Sequence, residues 1–304
     1  MAEKEPAPKK PKTEAPATPV LKKTPLFQAF HAPRYQRQGL IQEINKITGT
    51  KLICYVAGLA APIDRDDPMA FADLLFNLTM NDDVDLLIHT GGGDIDAAEK
   101  LIEMLRQKVG TGRLRVVIPD FAKSAGTLMA LGADEIIMGD SSELGPIDPQ
   151  VVRIDKDGNR VPQSVQNYLD AYSEHRETLR LNPNDITAQL LLSKLDPATI
   201  KHYENVLLRS RKIAERLLQT GMFKETGNWS GAASTLIDTK AWPSHAQMIS
   251  WQEATATIGL TVDYRDSNDE VWPMYWQLYC LQKLSINDNE KLFESDYASL
   301  STAK

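Results

Sequence analysis

The sequence predicts an α/β fold built on parallel strands, and three observations predict it. Short apolar runs at 84–90, 114–118 and 136–138 alternate with segments of helical period at 94–109 and 124–131. That alternation is the pattern of β-α-β units. A glycine run, Gly91-Gly92-Gly93, directly follows the first apolar run. A serine, Ser124, sits shortly after the second and opens a small, apolar helix. Folds of this kind carry their chemistry on the loops that follow the strands.

At 304 residues the chain is long enough to bury a full core. Its composition, 42% hydrophobic and 25% charged, is that of a globular protein. The net charge of -7 argues against nonspecific binding to nucleic acid or to anionic membranes. Residues 1–25 hold six Lys and three Glu, hence +3, and the remainder is -7 minus 3, or -10. Six prolines also fall in those residues, so 1–25 are expected to form a disordered Lys/Pro/Ala-rich tail. Cys54 and Cys280 are far apart in sequence and have no metal-site spacing; with no export signal in view they are expected to be reduced thiols in a cytoplasmic protein. No apolar stretch approaches the ~20 residues that a membrane span needs.

Taken in order, residues 26–49 show only a weak pattern. Leu52 to Ala57 is the first apolar run and reads as a buried strand, bounded by Gly49 and Gly58. Met69 to Leu78 has helical spacing, and Val84 to Thr90 is the next strand. In the helix after the glycines, Ala98, Leu101, Ile102, Leu105 and Val109 form one apolar stripe. Leu114 to Ile118 is a strand, Ser124 to Leu131 a buried helix, and Ile136 to Met138 another strand. Asp157-Gly158 between two β-prone runs signals a hairpin. Helices are expected at 164–179, 184–195 and 197–218. Ser250-Trp251-Gln252-Glu253 is a capping box, Leu260 to Val262 a short strand, and 271–284 an aromatic-rich helix followed by a polar end. Trp272, Tyr275, Trp276 and Tyr279 lie on one helical stripe, which suits either core packing or a protomer interface.

The glycine run has three readings. Gly91 and Gly93 fit a dinucleotide fingerprint, but Asp96 occupies its third glycine position and would face a pyrophosphate. A tight turn is the second reading. The third is an oxyanion hole, in which backbone N–H groups point at developing charge. Ser124 likewise is either a helix cap or a nucleophile, presented beside the Ala125 N–H.

Three motifs then carry a resemblance: Ile88-His89-Thr90-Gly91-Gly92-Gly93, Ala122-Lys123-Ser124-Ala125-Gly126-Thr127 and Leu144-Gly145-Pro146-Ile147-Asp148-Pro149-Gln150. Over roughly residues 50 to 262 the chain resembles the Clp/crotonase-fold serine peptidases, which include the Clp peptidase and signal peptide peptidase A. It most resembles the serine dehydrogenase proteinase branch. The resemblance implies a Clp/crotonase-like β-β-α superhelix over 26–262, here with a helical C-terminal extension at 263–304. It also implies self-association and ATP-independent hydrolysis of peptides or unfolded proteins, with no metal and no cofactor. Ser124 matches the nucleophile; Gly91, Gly92, Gly93 and Ala125 match the oxyanion hole, with Gly92 and Ala125 as its donors.

A serine hydroxyl needs a base. The His that Clp peptidases place about 25 residues after the serine is absent, and so is the Lys of signal peptide peptidase A: the window Ser164 to His175 contains none, and Lys156 and Lys194 lie outside it. The Ser, Asp, His order of the serine dehydrogenase proteinase branch fits Ser124, Asp148 and His245. Asp148, between prolines, also suits a plain turn, and His245 a loop position. His175 is the fallback base, although Glu174, Arg176 and Glu177 around it suggest a solvated face. His89 is expected to pack locally, and His31 and His202 lack a motif. Two rival functions stay open: an inactive assembly or adaptor protein that keeps the fold, and an acyl-CoA enzyme of the crotonase type that does not need Ser124.

Overall fold

The computed structural model describes residues 23–225 and 227–302; residues 1–22, most of the expected tail, lie outside them. The described residues begin with α1 (Pro25–Thr48), then β1 (Lys51–Ala57), α2 (Asp67–Leu74), β2 (Val84–His89), α3 (Ile95–Val109) and β3 (Leu114–Ile118). The short β4 (Phe121–Ala122) leads into α4 (Ala125–Leu131), β5 (Glu135–Met138) and β6 (Glu143–Leu144). A hairpin of β7 (Gln150–Ile154) and β8 (Arg160–Ser164) precedes α5 (Val165–Leu181), α6 (Ile186–Leu192), α7 (Pro197–Thr220) and α8 (Trp229–Ile237). α9 (Trp251–Glu253) carries the expected capping box and continues as a π-helical turn, Ala254–Ile258. β9 (Val262–Tyr264), α10 (Trp272–Lys283), β10 (Lys291–Ser295) and β11 (Ser299–Ser301) complete it.

Seven strands form one sheet in the order β11-β10-β1-β2-β3-β5-β9. From β1 to β9 the pairs are parallel, as the alternation of strand and helix predicts. Because both faces are covered, the central strands are apolar on both sides. Ile53, Leu86, Val116 and Met138 pack on one face with α3, α4, α7 and α8. Leu52, Cys54, Leu87, Val117 and Ile137 pack on the other with α1 and α10.

The end of the chain differs from expectation. Residues 263–304 contain the expected helix, α10, but β10 then returns to pair antiparallel with β1 inside the main sheet. The strand was hidden because Lys291 and Glu294, its charged residues, are buried in ion pairs. Glu294 takes a bidentate contact from Arg37 at 2.8 and 2.9 Å, and Lys291 Nζ lies 2.6 Å from Asp67. α1 was hidden for the same reason: its buried face includes Arg37 and Gln38 beside Ile41 and Ile44. Residues 23–25 belong to this helix and its approach rather than to the tail; Thr24 caps it through Phe27 N–H. The aromatic stripe of α10 is core. Trp272, Tyr275 and Tyr279 are buried against the sheet, and only Trp276 is exposed. Tyr275 donates to Asp85, which is fully buried and also held by Arg115 through two 2.7 Å contacts.

Among the described residues no helix is long and apolar enough to cross a membrane, and no group of three His, Cys, Asp or Glu is arranged to hold a metal ion.

His89 packs locally, as expected, between the rings of Phe121 and Tyr279 at 4.1 and 4.9 Å. Neither ring nitrogen has a hydrogen-bond partner among the described residues. Asp120 lies 3.6 Å away and would favour the charged ring, yet burial wins, aided by Lys283, and lowers the pKa to about 3. An unfolded histidine titrates near 6.5. The folded pKa is depressed, so the unfolded chain binds the extra proton more readily. This contribution to stability is whole above about pH 6.5 and is lost as pH falls from there toward 3. His89→Phe should remove up to one proton, about 1.4 kcal/mol per pH unit, from the slope of unfolding free energy in that window. Denaturant titrations at several pH values measure it; an unchanged slope would show that His89 is not the buried neutral base.

Candidate active site

Parallel pairing of β2 with β3 brings their carboxyl ends side by side, and the two loops that follow are laced together. Thr90 N–H donates to the Phe121 carbonyl at 3.1 Å, and Lys123 N–H to the Thr90 carbonyl at 3.0 Å. Beyond Thr90, the glycines run alongside Ile63: Ile63 N–H donates to the Gly92 carbonyl at 2.8 Å, and Asp94 N–H to the Ile63 carbonyl at 2.9 Å. Gly92 and Gly93 have φ of +102° and +150°, a range that disfavours side chains. Space forbids them too. A Cβ on Gly92 would lie 2.8 Å from Ser124 Cβ, and one on Gly93 2.3 Å from the Ile63 carbonyl oxygen. Gly91 faces open space. Asp94 then caps α3, accepting from the Asp96 and Ala97 N–H groups at 2.9 Å.

Ser124 adopts φ 51°, ψ −113° and makes no side-chain cap bond to α4, although it occupies the N-cap position. The capping reading is therefore not met. A non-glycine residue in such a conformation costs about 1–3 kcal/mol and persists where the surroundings over-determine it. Those surroundings include Gly92 on one side and, one turn on in α4, Thr127. Thr127 is fully buried; its hydroxyl lies 2.8 Å from the carbonyls of Ala122 and Gly145 and accepts the Gly145 N–H at 3.1 Å. Ala125 supplies the first N–H of α4, which has no partner within a helix. The Gly92 N–H has another acceptor, Thr90 Oγ1 at 3.1 Å. Gly93 lines the cleft in front of Ser124, and its N–H has no acceptor among the described residues.

Asp148 is almost fully buried, in a segment pinned at both ends: Ile147 N–H donates to the Leu236 carbonyl, and Val165 N–H to the Pro149 carbonyl, both at 3.0 Å. Its Oδ1 lies 2.6 Å from His245 Nδ1. Two anchors deliver that histidine across 97 residues of chain. Trp242, on one side, is buried and donates to the Thr235 carbonyl at 2.8 Å. On the other, Ile249 and Leu144 exchange both backbone hydrogen bonds at 3.0 Å. His245 is part-buried and lines the same cleft of about 430 Å³ as Gly91, Gly93, Ser124, Ile147 and Val206.

The other base candidates fall elsewhere. His175 lies on α5, Lys156 in the hairpin turn and Lys194 beyond α6, and none of them lines this cleft. A larger cavity of about 690 Å³ between α2 and β10 holds none of the expected site residues.

Several contributors were missed in the sequence. Val206 of α7 forms part of the cleft wall, and α7 is tied to α3 by Arg209, which contacts Asp96 at 2.8 Å and Glu99 at 2.5 Å. Arg65 reaches Asp94 at 3.1 Å and Asp96 at 2.9 Å. Nothing in the local sequence signals these links. Thr127 and Thr90 were the findable ones, as lone hydroxyls in otherwise apolar runs.

Residues 74–168 match the family described as ClpP-like SDH-type serine proteinase. The matched segment contains the glycine run, Ser124 and Asp148 but not His245, and it bears out the resemblance to the Clp-fold serine peptidases. An uncharacterised protein of Methanocaldococcus jannaschii is 34% identical over 208 residues, 64% of this chain and 65% of its own length. A second from the same organism is 47% identical over 68 residues, 22% of this chain and 23% of its own length. The chain thus spans less than two thirds of either curated relative. Among solved structures, a mutant of the 1510-N membrane-bound stomatin-specific protease matches with TM-score 0.43 and 15% identity, covering 73% of this chain and 82% of that one. ClpP1 from Listeria monocytogenes matches with TM-score 0.37 and 11% identity, covering 69% and 91%.

The 2.6 Å contact assigns the ring proton of neutral His245 to Nδ1, since a carboxylate can only accept. Nitrogen-15 spectra of the imidazole should show the Nδ1–H tautomer, and Asp148→Asn should redistribute it toward Nε2–H. A wild-type ring found mainly as Nε2–H would contradict this geometry.

Proposed function

We propose that this chain is a serine peptidase that cleaves peptides or unfolded proteins by acyl transfer. The observation that carries the reading is that His245, held by the buried Asp148, and the strained Ser124 line one cleft. In this reading Ser124 Oγ attacks the carbonyl carbon of the scissile bond, and His245 Nε2 takes its proton. The same proton goes to the leaving amine. Water, activated by His245, then releases the acyl group from Ser124. Asp148 holds the ring orientation and stabilises the imidazolium.

The tetrahedral oxygen is stabilised by the N–H groups of Gly93 and Ala125. Gly92 is assigned a steric role instead: its N–H is engaged by Thr90, and its missing side chain makes room for Ser124. An inactive adaptor would have no use for a serine held at positive φ without a side-chain bond, which favours the enzyme over that rival. No step requires a metal or a cofactor.

Self-association is part of the proposal, though the aromatic stripe no longer supports it. Its support is the hairpin beside the cleft, where Val152 and Ile154, two positions apart on β7, expose 60% and 68% of their surface. Light scattering at micromolar concentration should give a mass well above that of one chain, and the monomer mass, 33.9 kDa, would count against it.

Ser124→Ala should abolish hydrolysis of an unfolded protein substrate without unfolding the enzyme. His245→Ala should lower turnover by several orders of magnitude, as loss of a triad member does elsewhere, whereas His175→Ala should do little. Undiminished hydrolysis by folded Ser124→Ala would overturn the reading. Normal turnover by His245→Ala would overturn the base.

A further inference from the structure

We propose that Lys123 is a positioning residue that holds the His245–Asp148 pair in register with Ser124, and that it is not itself the base. The proposal rests on the serine peptidase reading and goes beyond it.

Lys123 touches all three segments that build the site. Its backbone belongs to the glycine side, donating to the Thr90 carbonyl at 3.0 Å. Its own carbonyl accepts the Gly126 N–H at 2.7 Å, in the turn that sets Ser124. Its side chain, only 13% exposed, runs the other way. Nζ lies 3.0 Å from the Leu144 carbonyl, 3.0 Å from Glu143 Oε2 and 3.3 Å from the Gln247 carbonyl. An ammonium has three donors and no acceptor, so these three contacts saturate it. Leu144 begins the segment that carries Asp148, and Gln247 is two residues beyond His245. The stem is fitted as closely as the head: a Cβ on Gly145 would lie 2.6 Å from Lys123 Cδ.

An amine engaged in this way, against a carboxylate and two carbonyls, offers no lone pair to the Ser124 hydroxyl. Its adjacency to the nucleophile therefore does not make a Ser/Lys dyad. What it does is join the strand-end that bears Ser124 to the loop that bears His245, in a site where a misplacement of about 1 Å can cost 10²-fold in rate.

The test is a double-mutant cycle read by the second-order rate of labelling with a fluorophosphonate. In that reaction the Ser124 Oγ–P bond forms, the P–F bond breaks, fluoride leaves and the hydroxyl proton passes to His245. Lys123→Met keeps the stem and removes the charge. It should slow labelling by about 100-fold in the native background. In a His245→Ala background the same change should alter the rate by less than about threefold, because a residue acting through His245 has nothing left to act through.

Lys123→Arg, which cannot serve as a base, should label measurably and with the native pH dependence. If Lys123→Met does not fold, as thermal unfolding will show, Glu143→Gln replaces it in the cycle, with a smaller loss that also vanishes when His245 is absent. Equal losses in both backgrounds, or complete loss in Lys123→Arg, would overturn the proposal. So would native labelling by folded Lys123→Met while His245→Ala is slow, which leaves the peptidase reading intact. Native labelling by His245→Ala removes the base assignment, and this proposal with it.

Discussion

The structure depends on one close approach, that of the Gly92 backbone to Ser124. A side chain on Gly92 would collide with Ser124 Cβ and the Lys123 carbonyl, both at 2.8 Å. Only glycine allows the loop after β2 to lie against the turn after β3. From that contact follow the positive φ of Ser124, the start of α4 immediately after it, and the presence of Gly93 and Ser124 in one cleft. The serine's strained conformation persists because its surroundings are fixed: Gly92 leaves room for it, and Thr127, one turn on in α4, bonds the Ala122 carbonyl before it and the Gly145 backbone.

The remaining parts arrive from far along the chain, and each is fastened by polar contacts in low-exposure surroundings. Asp148 is set by backbone bonds to Leu236 and Val165, His245 by Trp242 and by the Leu144–Ile249 exchange. The same device recurs at the sheet's outer edge, where Arg37–Glu294 and Lys291–Asp67 fasten α1 and α2 to β10. Buried pairs of this sort add little net stability, because desolvation offsets attraction, but losing one partner costs about 3–5 kcal/mol. They make incorrect registers expensive, and in this fold register is what aligns the candidate site, whose residues are drawn from 92 to 245.

The legible parts of the sequence were those in which side-chain polarity follows burial. β1, β2, β3 and β5 are dominated by apolar residues, although Asp85 and Arg115 pair inside β2 and β3, and α3 has a clean stripe. The parallel core and the loops bearing Ser124 and Asp148 could therefore be read, whereas His245 lies in none of the three motifs and was picked out only by the Ser, Asp, His order that the resemblance implies. β10 could not, since its Lys291 and Glu294 look like surface residues until their partners from α1 and α2 are known. α8, with small residues such as Gly231, Ala232 and Ala233 and no flanking stop signal, gave no helical stripe to follow. The α10 aromatics were ambiguous between core and interface because a stripe does not say what covers it; the sheet does. The division of labour among the glycines was equally hidden. Three adjacent glycines look alike in sequence, and only hydrogen bonding separates Gly92, whose N–H is satisfied by Thr90, from Gly93, whose N–H is not.

The central claim is that Ser124 is a nucleophile facing two prepared N–H donors. A crystal structure of the protein after reaction with a fluorophosphonate tests it most directly. The account predicts one adduct, on Ser124 Oγ, with the phosphoryl oxygen about 2.7–3.1 Å from both Gly93 N and Ala125 N. An unmodified Ser124, or an adduct whose phosphoryl oxygen points to solvent away from those two groups, would contradict it.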